Sequence, residues 1–167
     1  DNAMSDRPVT HSLYVSGREM RLHQELVLGV GGVRALKALG ISPAIWHLNE
    51  GHSAFQLIER TRALVAEGAD LAKAVDLDKA LERVRSNSVF TIHTPVAAGN
   101  EHFDSELVRR VAGPLFDGDG REGTGGVPIE RVLELGLGVD RDRRKLDMTA
   151  MSLRLSSAAN AVSQLHG

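Results

Sequence analysis

The chain has 167 residues, 42% of them apolar, enough to bury one sizeable core, and a single domain is the expectation. Its 20 basic and 22 acidic side chains give a formal net charge of -2, which argues against nucleic acid or an anionic membrane as a partner. There are no cysteines, which excludes a disulfide framework, a thiolate metal site and a thiol nucleophile and agrees with a reducing, cytoplasmic compartment.

No apolar run approaches the roughly 20 residues a membrane-spanning helix needs, and no basic region followed by an apolar stretch opens the chain. Asp1-Asn2-Ala3-Met4 resembles the scar of a removed tag, so residues 1–4 are set aside and residues 5–167 are read as a partial domain. Over residues 18–39, Leu22, Leu26, Val30, Val33 and Leu36 recur at steps of three and four, the spacing of one buried helical face. Inside that helix lies Gly29-Val30-Gly31-Gly32. An interior glycine costs about 1 kcal/mol relative to alanine, so a close backbone neighbour is expected there. The glycines do not follow a strand, so they are no dinucleotide fingerprint. Gly40 ends the helix and Pro43 opens the next segment.

Residues 44–48 and 88–92 are short apolar runs bounded by polar residues, and both read as buried strands. Residues 53–66 and 77–85 between them are predicted helices, which makes the two strands a parallel pair joined by a crossover. Residues 104–111 read as a helix, and the glycine-rich stretch 113–126 as a flexible surface loop. Residues 129–135 and 148–157 are predicted helices and residues 160–165 a third strand. The expected fold class is α/β: a Rossmann-like parallel sheet of at least three strands flanked by helices.

Each predicted strand runs out into a polar turn with a histidine: Asn49-Glu50-Gly51-His52, His93-Thr94-Pro95 and His166-Gly167. In an open parallel sheet, ligands bind beyond the carboxyl ends of the strands, which puts a candidate site along that edge. Imidazole, amide and carboxylate groups suit a polyhydroxy ligand, and the glycines let backbone groups approach. His11, His23 and His102 are read as structural hydrogen-bonding residues. His47, Glu50 and His52 lack the spacing of two histidines on one helical turn, so no metal is expected. Ser53 has no nucleophile elbow around it, and the charge run 140–145 is read as a solvated segment.

Four stretches resemble the glycogen and α-glucan phosphorylases, particularly their bacterial and archaeal branch. They are Arg18-Glu19-Met20-Arg21-Leu22-His23-Gln24-Glu25-Leu26, His47-Leu48-Asn49-Glu50-Gly51-His52, Phe90-Thr91-Ile92-His93-Thr94-Pro95-Val96, and Met148 through His166-Gly167. They stand in family order and span the chain from Arg18 onward. The resemblance implies an internal piece of the amino-terminal half of a two-Rossmann-domain, B-type glycosyltransferase fold. It also implies a parent enzyme that cuts a terminal glucose from an α-1,4-glucan with inorganic phosphate, retaining the anomeric configuration. By resemblance His93 is the catalytic residue of the glucose pocket, its side chain on the sugar 6-hydroxyl and its carbonyl facing the anomeric centre. Asn49, Glu50, His52 and Thr94 line the same pocket, with a helix amino-terminal cap as the alternative role for Asn49. Arg21 lies in a stretch that forms part of a regulatory phosphate site in animal members.

The family's cofactor, pyridoxal phosphate, is expected on a lysine outside this chain, so the chain by itself should neither bind it nor turn over glucan. Four positions depart from the branch: Leu146-Asp147 replaces Phe-Asn, and Ala161 and Gln164 replace glycine and lysine. Two alternatives stay open, a nucleotide-sugar-dependent glucan synthase fragment and a noncatalytic carbohydrate-binding or interaction module. A domain separated from its neighbours exposes apolar surface, so self-association of the chain is also an expectation.

Overall fold

A computed structural model of the chain describes residues 3, 4, 6–13, 16–67, 76–93, 100–117 and 126–163. Its centre is a three-stranded parallel sheet in the order β1-β2-β5, built from β1 (Trp46–Asn49), β2 (Ser88–Ile92) and β5 (Ala158–Ala161). Asn49 pairs with Thr91, and Thr91 with Asn160, so the carboxyl ends of all three strands lie at one rim. Leu48 and Phe90 point from the sheet into the core, while His47, Asn49, Ala158 and Asn160 are exposed. On that exposed side His47 Nε2 donates to Thr91 Oγ1 at 2.6 Å, and the threonine hydroxyl donates to Asn160 Oδ1 at 2.6 Å.

The amphipathic stretch 18–39 forms two helices, α1 (Arg18–Leu26) and α2 (Gly32–Ala38), joined without a break by a π turn at Val27–Gly31. That turn packs on α3 (Phe55–Glu67), which follows β1 after a 3-10 turn at Gly51–Ser53. The expected close neighbour of the glycines is found at one of them. A Cβ on Gly29 would lie 2.8 Å from the Gln56 backbone nitrogen and 2.9 Å from Phe55 Cβ, whereas one on Gly31 would meet nothing within 4 Å. α4 (Leu77–Ser86) precedes β2 and carries Asp76 as its amino-terminal cap. Arg60 of α3 donates to Ser88 Oγ at 2.8 Å and to Asn87, and lies 4.5 Å over the Trp46 ring. These contacts fasten α3 to the starts of β1 and β2.

The remaining elements are β3 (His102–Asp104), α5 (Ser105–Phe116), α6 (Ile129–Leu135), β4 (Lys145–Asp147) and α7 (Met148–Arg154). β3 and β4 form a separate antiparallel pair that sequence reading missed. Each ends in an aspartate that caps the next helix. Asp104 accepts from Glu106 and Leu107 N–H, and Asp147 accepts from Ala150 N–H at 2.9 Å.

Several expected boundaries move. β1 starts at Trp46, where pairing begins opposite Ser88, and not at residue 44. β5 occupies Ala158–Ala161 because it pairs with Val89–Ile92, so the strand expected at 160–165 begins earlier; Gln164 and Leu165 lie outside the described residues. The helix expected over 148–157 ends at Arg154. The loop expected over 113–126 is helical in its first part. α5 runs through Gly113 and Pro114 to Phe116, whose buried ring stacks on Phe55 with centroids 5.9 Å apart. Residues 118–125 lie outside the described residues, and Val127 N–H returns to the Phe116 carbonyl at 2.8 Å. No helix among the described residues is long and apolar enough to cross a membrane.

The two glycines of the π turn should respond oppositely to alanine. Gly29→Ala forces the turn against α3 and should destabilise the chain by about 1–3 kcal/mol. Gly31→Ala adds a methyl in open space at helical φ -61°, and should stabilise by about 0.5–1 kcal/mol. Urea unfolding midpoints of the two variants check this; equal shifts would contradict the packing described.

Candidate functional site at the carboxyl rim of the sheet

The rim is built by the register of β1 and β2. Asn49 is the last residue of β1, exposed and opposite Thr91. The next residue, Glu50, donates its N–H to the Thr91 carbonyl at 2.9 Å, so the turn leaves the sheet alongside the end of β2. The Glu50 side chain then accepts a hydrogen bond from the backbone N–H of His93, the first residue after β2. The two turns therefore meet side by side, joined through a carboxylate that is only 9% exposed at the residue level. His93 itself is exposed. The residue before the 3-10 turn is Glu50, with no side-chain capping bond, so Asn49 does not act as a helix cap.

Gly51 brings α7 against this rim, since a Cβ on it would lie 2.9 Å from Met148 Cβ. Any larger residue would push the turn away from α7. His52, at the second position of the 3-10 turn, faces α1. Arg21 Nη2 lies 2.9 Å from His52 Nδ1, and Glu25 Oε1 lies 3.6 Å from the same nitrogen. Arg21 Nε lies 3.3 Å from Glu25 Oε1 and 3.4 Å from Glu101 Oε1, and Arg18 bonds the other oxygen of Glu101 at 2.9 Å. Glu25 is 1% exposed, and neither of its oxygens makes a well-aligned hydrogen bond among the described residues. Burial raises its carboxyl above the ordinary value of 4.5, with His52 and Arg21 pulling the other way and Glu101 adding to the rise.

Of the residues singled out from sequence, the structure joins Glu50 directly to His93 and sets Asn49 beside them; His52 sits one turn further along. Thr94 and His166 lie outside the described residues. His47 is a strand residue, as expected, but β1 is not the buried strand expected: His47 and Asn49 are exposed and only Leu48 of its four residues is buried, because one face of the sheet is uncovered here. Arg21, Glu25 and Glu101 were not read as part of this rim. A signal was available for two of them: Arg21 and Glu25 are spaced i, i+4 on the apolar side of α1, where a paired charge has to be buried. Glu101 carried no such signal, because it reaches Arg21 from the segment before β3.

The rim offers an imidazole, an amide and backbone groups on one side, with a buried cation-carboxylate network behind His52. That combination can orient hydroxyl groups.

Comparison with known proteins gives several phosphorylases among the relatives. No family model matches the chain. The glycogen phosphorylase of Mycobacterium tuberculosis is 42% identical over 173 residues, covering 100% of this chain and 19% of that protein. The maltodextrin phosphorylase of Thermococcus litoralis is 39% identical, covering 99% of this chain and 18% of that protein. The glycogen phosphorylase of Aquifex aeolicus is 34% identical, covering 99% of this chain and 22% of that protein. The chain thus spans about a fifth of the length of the curated relatives it matches.

The raised carboxyl of Glu25 has a definite sign in stability. The folded chain holds that proton more tightly than the unfolded chain, so the contribution is fully present below 4.5 and is lost as pH rises through the folded value. Glu25→Gln removes the titration. The variant should therefore gain on the wild type as pH rises from about 4 to about 7.5, measured as the difference in unfolding midpoint. A difference that stays constant over that range would contradict burial as the dominant effect at Glu25.

Proposed function

Because the chain is homologous along its whole length to part of the glycogen and maltodextrin phosphorylases, we propose that it supplies one wall of the glucose site in a retaining α-glucan phosphorylase. The wider protein would act on α-1,4-glucan and inorganic phosphate in the cytoplasm and release glucose 1-phosphate. The observation that carries this reading is the meeting of the Glu50 and His93 turns at the carboxyl rim of a parallel sheet, where α/β enzymes bind their ligands.

In the proposed reaction the bond from glucose C1 to the glucan 4-oxygen breaks, an oxygen of hydrogen phosphate takes that place on the same face, and the proton that the phosphate gives up ends on the departing 4-oxygen, which leaves as a hydroxyl. His93 is the catalytic residue of this chain. Its ring holds the sugar 6-hydroxyl, and its carbonyl dipole faces the anomeric carbon, where positive charge develops in the transition state. Asn49, Glu50, His52 and Thr94 line the pocket and fix the sugar ring. Two of the departures from the family sit in regular structure: Asp147 caps α7 as an asparagine would, and Leu146 fills a fully buried position.

Pyridoxal phosphate, which the resemblance implies, needs a lysine. Among the described residues Lys37, Lys79 and Lys145 lie in α2, α4 and β4, none in the turns after β1 and β2. These three do not stand at the rim, and Lys73 lies outside the described residues; the resemblance puts the cofactor's lysine on polypeptide outside this chain. No step here is drawn through it.

The test is phosphorolysis of maltodextrin by the full-length protein, followed as glucose 1-phosphate. His93→Ala should lower kcat/KM by about 10- to 100-fold through loss of the 6-hydroxyl contact, with unfolding temperature little changed because the side chain is exposed. A nucleotide-sugar requirement, or full activity in His93→Ala, would overturn the proposal.

A further inference from the structure

We propose that Glu50 is a positioning residue: its carboxylate is the fixed acceptor that holds the main chain of His93, and thereby that residue's ring and carbonyl, at the wall of the pocket. This rests on the reading of the rim as a glucose site and assigns Glu50 a role exerted through His93.

The backbone of Glu50 is the first observation. Its φ of 65° and ψ of -179° fall in a region used almost only by glycine and strained for any other residue. Glycine at this position would remove the strain. A glutamate there implies a side-chain interaction that glycine cannot make.

The second observation is what the side chain does. The β1–β2 ladder ends with Asn49 opposite Thr91, so the His93 N–H has no strand partner in β1. The Glu50 carboxylate accepts it in place of a strand carbonyl, while the Glu50 N–H holds the Thr91 carbonyl at 2.9 Å. One residue therefore grips β2 on either side of Ile92. The grip is held from behind as well, since the adjacent Gly51 packs against Met148 and admits no Cβ. His93 is exposed, and the bond to Glu50 fixes its main chain at the end of β2.

A positioning acceptor needs an oxygen in the right place and no charge or proton of its own. Glu50→Gln keeps such an oxygen and Glu50→Gly removes it while relaxing the backbone. In the full-length protein, Glu50→Gln should keep at least tenfold more kcat/KM than Glu50→Gly, with an unchanged pH–rate profile. Glu50→Gly should lose roughly 100-fold, chiefly in kcat, as expected for a misplaced catalytic group. In parallel, the His93 amide should exchange with solvent at least tenfold faster in Glu50→Gly than in Glu50→Gln.

A Glu50→Gly enzyme that keeps wild-type phosphorolysis overturns this inference alone. So does a Glu50→Gln enzyme as impaired as Glu50→Gly, which would assign Glu50 a charge or proton role. A wild-type full-length protein with no phosphorolysis overturns the glucan reading and this inference with it.

Discussion

The site depends on the parallel register of two short strands. Asn49 opposite Thr91 sets where β1 and β2 end, and everything at the rim follows from that pairing. A slip of one residue would turn the alternate side chains of β1 to the opposite face, exchanging buried Leu48 for exposed His47 and Asn49. Burial of Leu48 and Phe90 against the helices therefore fixes the register, and the register delivers Glu50 to the amide of His93. Core packing and site geometry are two consequences of one constraint.

The rim is stiffened from behind by charge. Arg21 is shared among Glu25, Glu101 and His52, which ties α1 to the turn after β1 and to the segment before β3. Burying Glu25 beside that cation is costly, as the raised carboxyl shows, and the cost falls on a group one step removed from the proposed sugar wall. The same division appears in the backbone, where strain sits at Glu50 and the flanking β1 and 3-10 turn are regular. Local disfavour at a rim held by a well-packed core is the pattern expected where geometry serves a ligand.

Much of this was legible in the residues, and the reasons for success and failure are physical. β2 was readable because Ser88-Val89-Phe90-Thr91-Ile92 combines β-branched and aromatic residues with bounded length. β5 was misplaced because Ala158-Ala159-Asn160-Ala161 has little strand preference of its own and exists through pairing with β2. Pro114 and Gly113 read as the start of a loop, yet α5 continues through them. Burying Phe116 against Phe55 outweighs the roughly 3 kcal/mol a helical proline costs. The meeting of the histidine turns followed from strand ends and topology alone. The carboxylate link between Glu50 and His93 did not, because a contact across 43 positions leaves no periodic trace.

The central claim is that the turns after β1 and β2 together face a sugar. It is tested most directly by a crystal structure of the full-length protein with maltooligosaccharide and phosphate. The expected result is a terminal glucose ring with its 6-hydroxyl on the His93 imidazole and Asn49 and His52 along its edge. A glucan bound elsewhere, with this rim covered by another part of the polypeptide, would contradict it.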